Sequence, residues 1–177
     1  LARNRATLDA AIYGRLLRLL GHRLTHLLRA NTRAGARRNI EAHYDLGNDF
    51  YALWLDRTMT YSAAVFDAPD EALEAAQRRK YRRILTQIGA QPGQTVLEIG
   101  CGWGGFAEVA ATEFGCRVLG LTLSPAQLAF ARERAERGGY AGQVDLELCD
   151  YRDVRGQYDH IVSIEMIEAV GERFWPT

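Results

Sequence analysis

The sequence predicts an α/β fold with a doubly wound, mostly parallel sheet, preceded by helical segments. Three observations support this prediction. Short apolar runs alternate with amphipathic, helix-length segments after residue 93. A glycine cluster, from Gly100 to Gly105, directly follows the first apolar run. Ser124 and Pro125 mark a later helix start, because serine caps helices and proline suits the first helical position. Strands that alternate with helices form parallel sheets.

The first 92 residues contain three segments with helix signals. Leucines recur at helical spacing near the start, the middle segment is short and aromatic, and the third segment is polar with glycine and proline after its end. The predicted helices span about residues 8–30, 45–55 and 69–88. Residues 31–38 include Gly35 and lack an apolar run, which is typical of a linker.

Four strands and two connecting helices follow. The predicted strands are 95–99, 117–121, 144–148 and 160–164, and the predicted helices are 106–114 and 124–137. Because a doubly wound sheet usually has more strands, we expect the sequence to be incomplete at its C-terminus. The sequence also begins without methionine and inside a helix pattern, so we expect it to be incomplete at its N-terminus too. We divide the chain into an arm with its linker (1–38), a helical cap (39–92) and an α/β core (93–177).

The charges are unevenly distributed. Residues 1–40 carry nine arginines and one aspartate, a net +8, whereas residues 41–177 carry 13 basic and 21 acidic residues, a net −8. A basic arm on an acidic body indicates an anionic partner for the arm. No apolar run approaches the roughly 20 residues that span a bilayer. The three cysteines form no CxxC pair and no metal-ligand pattern with histidine, which predicts a reduced, cytoplasmic protein without a metal site.

The glycine cluster predicts a ligand site. Gly100 and Gly102 permit positive φ and close approach of a ligand, and a helix beginning near Gly104 directs free N–H groups toward the same crevice. A dinucleotide site places an acid about 20 residues further on, where Thr122 stands here. Glu98, just before the loop, suits a cation, so we predict S-adenosylmethionine as the cofactor. A tight turn that binds no ligand is the alternative.

Several longer segments make a family recognisable. They are 39–51 (NIEAHYDLGNDFY), 58–62 (TMTYS), 96–105 (VLEIGCGWGG), 120–124 (GLTLS) and 161–164 (IVSI), followed by Glu168. In this order and spacing, the chain from about Arg38 onward resembles the cyclopropane fatty acid synthase family, which includes the mycolic acid cyclopropane synthases. The resemblance implies a class I methyltransferase with a Rossmann-like core, of which this sequence holds a truncated, N-terminal part.

The resemblance also implies roles for individual residues. The active-site carboxylate would be Glu168. The cofactor would be enclosed by five segments of the chain, through Tyr61, Ser62, Gly100, Gly102, Gly104, Thr122, Leu123, Gln127, Tyr151 and Arg152. The first two would close over the cofactor, the glycines would line its methionine portion, the next three would meet the ribose and adenosine, and the last two would flank the adenine.

Family chemistry joins a one-carbon unit to the double bond of an unsaturated phospholipid acyl chain. The alkene attacks the sulfonium methyl, a bound bicarbonate removes a proton from the carbocation, and a cyclopropane ring closes. Such a site needs an apolar tunnel and aromatic faces near the cation. The candidate aromatic residues are Tyr44, Phe50, Tyr51, Trp54 and Tyr61. For Phe50 and Trp54 we predict ordinary helix core instead.

Three positions bear on the reaction outcome. Ala63 stands where the family commonly has a cysteine beside the bicarbonate. Either its backbone N–H suffices, or the proton acceptor differs and a methyl or methylene branch replaces the ring. Ala169 stands where many members have histidine. Glu165 lies one helical turn before Glu168, and we predict a helix N-terminal acid stabilised by the helix dipole rather than a catalytic group. Further catalytic residues of the family are expected beyond Thr177.

Two other functions stay open. A methyltransferase for a small amine or phenol would keep the glycine loop but would give no reason for residues 44–61 or for the arm. The second open function is that of a cofactor-binding or membrane-surface module that catalyses no reaction. The lipid-modifying interpretation implies unsaturated phospholipid acyl chains and an anionic membrane surface as partners, and no nucleic acid. It implies a cytoplasmic protein held peripherally at the membrane, and it leaves a homodimer open.

Overall fold

Strands and helices alternate from residue 95 onward, and all four strands belong to one parallel sheet. The computed structural model describes residues 47–170, apart from the side chain of Ala169. The strands are β1 (Thr95–Ile99), β2 (Arg117–Thr122), β3 (Val144–Leu148) and β4 (His160–Ser163). The helices are α1 (Gly47–Ala52), α2 (Leu73–Gln87), α3 (Gly105–Phe114), α4 (Pro125–Arg137) and α5 (Ile167–Val170). Single 3-10 turns occupy Ala141–Gln143 and Tyr151–Asp153.

The strand order β3-β2-β1-β4 creates a switch point in the sheet. The chain moves outward from β1 to β3 and then returns to the other side of β1. Ile99, at the end of β1, therefore lies between Leu121 of β2 and Ser163 of β4. Open α/β sheets bind ligands at the carboxyl ends of strands beside such a switch point. The loops after β1 and β4 consequently flank one crevice.

The largest buried cluster joins the sheet to α2 and α3. Val96, Leu85 and Phe106 are almost completely buried in it, and they come from β1, α2 and α3 respectively. A smaller cluster packs Ala111 of α3 against Ala135 of α4. Burying these apolar side chains supplies the main favourable free energy of folding. The helices thus form a layer on the sheet, and the crevice at the carboxyl edge stays at one end of that layer.

The predicted strands agree with the structure to within one residue at each end. The predicted helix at 69–88 begins instead at Leu73. The chain before it forms turns, in which Glu71 accepts the N–H of Asp67 at 2.7 Å and donates its own N–H to Ala68. Of the predicted helix at 45–55, the described residues 47–55 are helical only in α1. The predicted helix at 8–30 lies outside the described residues. Within the described part, no helix is long and apolar enough to cross a bilayer.

A chain of buried hydroxyl groups connects the cap to α3. Thr58 Oγ1 lies 2.6 Å from Thr60 Oγ1, which lies 2.9 Å from the Tyr81 hydroxyl. A Cβ on Gly105, the first residue of α3, would stand 3.1 Å from that hydroxyl and 3.2 Å from Thr60 Oγ1. The missing side chain at Gly105 therefore allows the cap to approach the start of α3 closely.

Arg134 of α4 links three parts of the fold. Its guanidinium donates to the Thr58 carbonyl and to the Glu108 carboxylate, each at 2.6 Å. Glu108 also accepts from Arg78 of α2 at 2.9 Å. Because these ion pairs are only partly exposed, solvent screens them less than ordinary surface pairs. The network holds the 58–60 segment of the cap against α3 and α4.

Candidate active site

The loop after β1 turns sharply at the carboxyl edge of the sheet. Gly100, Gly102 and Gly104 have φ angles of 86°, 53° and 81°, which are strained for residues with a side chain. The N–H groups of Gly100 and Cys101 both donate to the Leu121 carbonyl, at 3.0 and 2.8 Å. Gly104 precedes α3 without a side-chain cap, so the first N–H groups of that helix are available to a ligand.

The three loop glycines meet different surroundings. A Cβ on Gly102 would enter open space, with no atom within 4 Å. A Cβ on Gly104 would lie 3.1 Å from the Ala131 Cβ, and one on Gly100 would lie 3.5 Å from the Met166 side chain. Gly104 therefore serves the packing of the loop on α4. Gly102 is the position at which the missing side chain leaves room for a ligand.

Glu98 lies in β1 directly below this loop. It is 4% exposed, and its Oε2 atom has no hydrogen-bond partner. Burial raises the pKa of this carboxyl to about 8. A charged carboxylate in such surroundings is unfavourable unless a cation or donor joins it. A sulfonium or ammonium group would supply that cation and a phosphate would not, so Glu98 fits S-adenosylmethionine.

At the end of β2, three polar side chains form a closed hydrogen-bonded group. Thr122 Oγ1 donates to Gln127 Oε1 at 2.9 Å and accepts the N–H of Ser124 at 3.1 Å. Ser124 Oγ accepts the N–H of Gln127 and so caps α4, as its sequence predicts. The structure thus brings Thr122, Leu123 and Gln127 together at the crevice edge. Their contact with a ribose or adenosine stays a prediction.

Beyond β3, Arg152 is oriented by Asp150. The Asp150 carboxylate accepts from Arg152 Nε at 2.8 Å and from Nη2 at 2.5 Å. The Arg152 guanidinium carbon also lies 5.7 Å from the Tyr151 ring centroid. Tyr151 and Arg152, the two residues predicted to flank the adenine, therefore lie side by side. Asp150 was not predicted as a site residue, because its only signal in the sequence is an acid two residues before an arginine, a pattern common on protein surfaces.

An aromatic cluster stands against the glycine loop and comprises Phe50, Tyr51, Trp54, Tyr61 and Trp103. The Tyr51 ring centroid lies 5.1 Å from that of Trp103, which belongs to the loop, and 5.6 Å from that of Tyr61. The Trp103 indole N–H donates to Asn48 of α1 at 2.7 Å. Trp103 was not predicted as a site residue, because a tryptophan between glycines has no periodic neighbours that would indicate which way its side chain points.

Two members of the aromatic cluster correct a sequence prediction. Phe50 and Trp54 were predicted as helix core, but they are 41% and 48% exposed. The six-residue helix α1 buries only Tyr51, and Trp54 lies beyond its end. Both rings nevertheless contact the cluster, with the Trp54 centroid 5.2 Å from that of Tyr61. Tyr44, the remaining candidate aromatic residue, lies outside the described residues.

The Ser62–Ala63 segment is held to α2 and to the end of β4. The Lys80 ammonium donates to Ser62 Oγ at 2.5 Å and to Gln77 Oε1 at 2.8 Å. The Gln77 side-chain amide donates to the Ser62 carbonyl at 2.8 Å. The Ala63 N–H donates to Glu165 Oε1 at 2.7 Å. Burial lowers the pKa of Lys80 to about 8, and the negative charge of Glu165 opposes that shift.

The two carboxylates after β4 have different surroundings. Glu165 has a φ angle of 50° and precedes α5. The sequence predicted that the helix dipole stabilises this acid at a helix N-terminus. That prediction is wrong, because the carboxylate instead accepts the Ala63 N–H. Glu168 lies in α5, is exposed, and accepts no hydrogen bond from the described residues; its catalytic role stays a prediction. Among residues 47–170, no group of three or more potential ligands is arranged to hold a metal ion.

The comparison with known proteins decides the family. The family model described as mycolic acid cyclopropane synthetase matches residues 31–177. The chain belongs to this family. Tuberculostearic acid methyltransferase of Mycobacterium tuberculosis is 52% identical over 82% of this chain and 36% of its own length. Cyclopropane-fatty-acyl-phospholipid synthase of Escherichia coli is 43% identical over 76% and 34%. The chain thus spans about a third of the length of these curated relatives.

Solved structures confirm the predicted fold. Mycolic acid cyclopropane synthase complexed with SAH and CTAB has a TM-score of 0.74 at 36% identity, covering 77% of this chain and 48% of that chain. The cyclopropane synthase structure from Mycobacterium tuberculosis has a TM-score of 0.73 at 38% identity, covering 76% and 47%. The four parallel strands and the glycine loop are therefore part of a class I methyltransferase fold of this family.

Proposed function

We propose that the protein binds S-adenosylmethionine and transfers a one-carbon unit to the double bond of an unsaturated phospholipid acyl chain, forming a cyclopropane ring. The observation that carries the proposal is the contact between the aromatic cluster and the glycine loop, through Trp103 and Tyr51. Tyr51 and Trp103 are buried, and they join the exposed rings of Phe50, Trp54 and Tyr61 to the cofactor loop. Aromatic faces at this place suit an alkene and stabilise a developing carbocation. A small polar amine would need no such surface. The cyclopropane synthases among the relatives support the same substrate class.

The described residues would have different roles in the reaction. When bound, S-adenosylmethionine supplies an electrophilic methyl group on a sulfonium. Gly102 leaves room for the cofactor beside the backbone, and Glu98 provides a compensating negative charge. Thr122 and Gln127 offer a hydroxyl and an amide at the crevice edge. The aromatic cluster provides an apolar surface for the acyl chain, which excludes water from the carbocation.

A methyl or methylene branch is the second candidate product. Ala63 replaces the family cysteine, and the relative named for methyl transfer is 52% identical, against 43% for the one named for cyclopropane formation. The ring forms when the electron pair of a C–H bond on the added carbon closes onto the carbocation. A methylene branch forms when a hydride first shifts from the methylated carbon to the cation, so that the same C–H pair becomes a double bond to the added carbon. A methyl branch requires in addition a hydride-donating reductant that reduces this double bond. Bicarbonate as the anion that receives the proton is part of the proposal for the ring-forming route.

We also propose that the protein contacts the membrane surface peripherally from the cytoplasmic side. The arm and its flanking residues carry the +8 charge of residues 1–40. Each basic residue near an anionic surface contributes roughly 1 kcal/mol, screened by salt. Several together would give reversible binding without a lipid anchor, which suits a substrate that resides in a bilayer.

One experiment tests the activity and the product together. The full-length protein is incubated with methyl-labelled S-adenosylmethionine and vesicles of unsaturated phospholipid, with saturated vesicles as the matched control. We expect the label in the acyl chains of unsaturated lipid only, and gas chromatography with mass spectrometry separates ring from branch. Methylation of a small amine or phenol, with none of the lipid, would contradict the proposal.

A further inference from the structure

The Asn48 side chain joins two separate parts of the cofactor crevice. Its Oδ1 atom accepts the indole N–H of Trp103 at 2.7 Å, and its Nδ2 atom donates to the Ala126 carbonyl at 3.1 Å. An indole N–H can only donate and a carbonyl can only accept, so these two partners fix the orientation of the amide. Asn48 is 55 residues from Trp103 and 78 residues from Ala126 in the chain. The bridge therefore depends on the tertiary structure.

One end of this bridge holds the cofactor loop. Trp103 lies between Gly102 and Gly104, is 3% exposed, and belongs to the aromatic cluster. A buried indole N–H usually needs an acceptor, and Asn48 supplies one from outside the loop. The glycines on either side have no side chains with which to fix the loop. The direction of the Trp103 ring, and with it the shape of the loop beside Gly102, therefore depends on Asn48.

The other end of the bridge holds the start of α4. Ala126 is the second residue of that helix and precedes Gln127, whose side chain is hydrogen-bonded to Thr122 at 2.9 Å. Thr122 and Gln127 belong to the group that the family resemblance assigns to the ribose and adenosine. Asn48 thus connects the segments predicted to meet the methionine portion and the nucleoside portion of the cofactor.

The short helix that carries Asn48 also carries a buried ring of the aromatic cluster. α1 spans six residues, Gly47–Ala52, and includes Tyr51. The Tyr51 ring centroid lies 5.1 Å from that of Trp103 and 5.6 Å from that of Tyr61. An isolated helix of this length is not stable in water, so contacts such as those of Asn48 determine where it lies. The hydrogen bond from Trp103 therefore also sets the position of the cluster relative to the cofactor loop.

We propose that Asn48 is a positioning residue that holds the aromatic cluster in register with the bound cofactor. This inference rests on the proposed function. In the methyl transfer, the π electrons of the alkene form a new bond to the methyl carbon. The electron pair of the C–S bond stays on sulfur, and S-adenosylhomocysteine leaves. Such a displacement needs the reacting atoms to be closely aligned. Asn48 fixes this alignment through Trp103 and Tyr51, the buried rings of the surface proposed for the acyl chain.

Kinetics of the full-length protein test the inference. Asn48→Ala removes both hydrogen bonds and should lower kcat by roughly 10-fold to 10²-fold, because small displacements of reacting groups have effects of this size. The affinity for S-adenosylhomocysteine, measured by calorimetry, should fall much less. Asn48→Asp keeps an oxygen for the Trp103 N–H and should retain most of the turnover. The matched control is Asp49→Ala, an exposed neighbour on α1, which should behave as the wild type.

A double-mutant cycle separates this role from a general loss of stability. Trp103→Phe keeps a ring at position 103, removes the same hydrogen bond from its other side, and should also lower kcat. If Asn48 acts through this hydrogen bond, the double variant should be no slower than the slower single variant. Losses that multiply in the double variant, or a wild-type kcat in either single variant, would overturn the inference.

A binding experiment tests the coupling without turnover. The full-length protein is labelled with fluorotryptophan, and the resonances of Trp54 and Trp103 are assigned from their loss in Trp54→Phe and Trp103→Phe. Because Trp54 contacts the cluster, we expect S-adenosylhomocysteine to shift both resonances in the wild type but only that of Trp103 in Asn48→Ala. The same response of Trp54 in both proteins, or none in the wild type, would contradict the coupling. Wild-type protein that binds S-adenosylhomocysteine but modifies no lipid would instead overturn the proposed function, and the two resonances would still decide the role of Asn48.

Discussion

Glu98→Gln should stabilise the ligand-free protein at alkaline pH. The pKa of Glu98 is about 8 in the folded protein, against a usual value of 4.5. Each tenfold change in an ionisation constant corresponds to about 1.4 kcal/mol, so the buried charge costs roughly 5 kcal/mol above pH 8. Below pH 4.5 the carboxyl is protonated in both states. Between these pH values only the unfolded state ionises, so the free energy of unfolding falls as pH rises. Glutamine never ionises and lacks this decline.

The cofactor should reverse the effect of the same substitution. A cation beside Glu98 favours the charged carboxylate, so binding below pH 8 releases a proton and wild-type affinity rises with pH toward 8. Removing one partner of a buried charge pair costs roughly 2–5 kcal/mol, or about 30-fold or more in Kd. Glu98→Gln should therefore bind S-adenosylmethionine more weakly, with no proton release from this site.

Two measurements check these expectations. Urea unfolding of the ligand-free proteins from pH 5 to 9 gives the difference in stability, and calorimetry in two buffers of different ionisation enthalpy counts released protons. Glu136→Gln, an exposed acid on α4, is the control and should follow the wild type. A Glu98→Gln variant that matches the wild type in both the stability profile and Kd would refute the assignment of Glu98 to the cofactor.

Four further predictions concern other parts of the chain. Gly102→Val should abolish binding of S-adenosylhomocysteine in calorimetry, because the valine side chain would fill the open space in which the ligand is expected. Gly139→Val is the control: its φ of 72° gives comparable backbone strain, but it lies after the end of α4 and should leave binding intact. Tight NAD binding without S-adenosylhomocysteine binding would contradict the cofactor assignment. Arg134→Gln should lower the free energy of unfolding by about 2 kcal/mol or more, because the Arg134 side chain is 13% exposed and pairs with Glu108. The control is Arg137→Gln, whose side chain is 64% exposed and which should change the free energy of unfolding by under about 0.5 kcal/mol. Equal effects of the two substitutions would contradict this prediction. Ala63→Cys should shift the lipid product toward cyclopropane, and a wild-type product that is already purely cyclopropane would remove any reason to connect Ala63 with branching. The arm is tested by replacing four arginines with glutamine, at Arg15, Arg18, Arg23 and Arg29. These substitutions should weaken salt-sensitive co-sedimentation with anionic vesicles and leave cofactor affinity unchanged. Unaltered sedimentation would assign the arm a structural role.

Local chemistry made most of the fold predictable. The strands of four to six residues, the Ser124 cap with Pro125 after it, and the glycine cluster are each encoded within a few neighbouring residues. The start of α2 was misplaced because Glu71 forms its hydrogen bond to Asp67, outside the helix, instead of taking part in the first turn. A turn of this kind has the same residue types as a helix start.

The sequence by itself determined the order of strands and helices, the cofactor loop and the family, because periodicity, capping residues and contiguous motifs depend on neighbours in the chain. The tertiary structure alone decided which side chains meet. It exposed Phe50 and Trp54, buried Lys80 within a polar helix, and joined Glu165 to Ala63 across 102 residues. Such contacts depend on how distant segments pack, and a polar residue has the same local pattern whether it faces water or a partner from another segment.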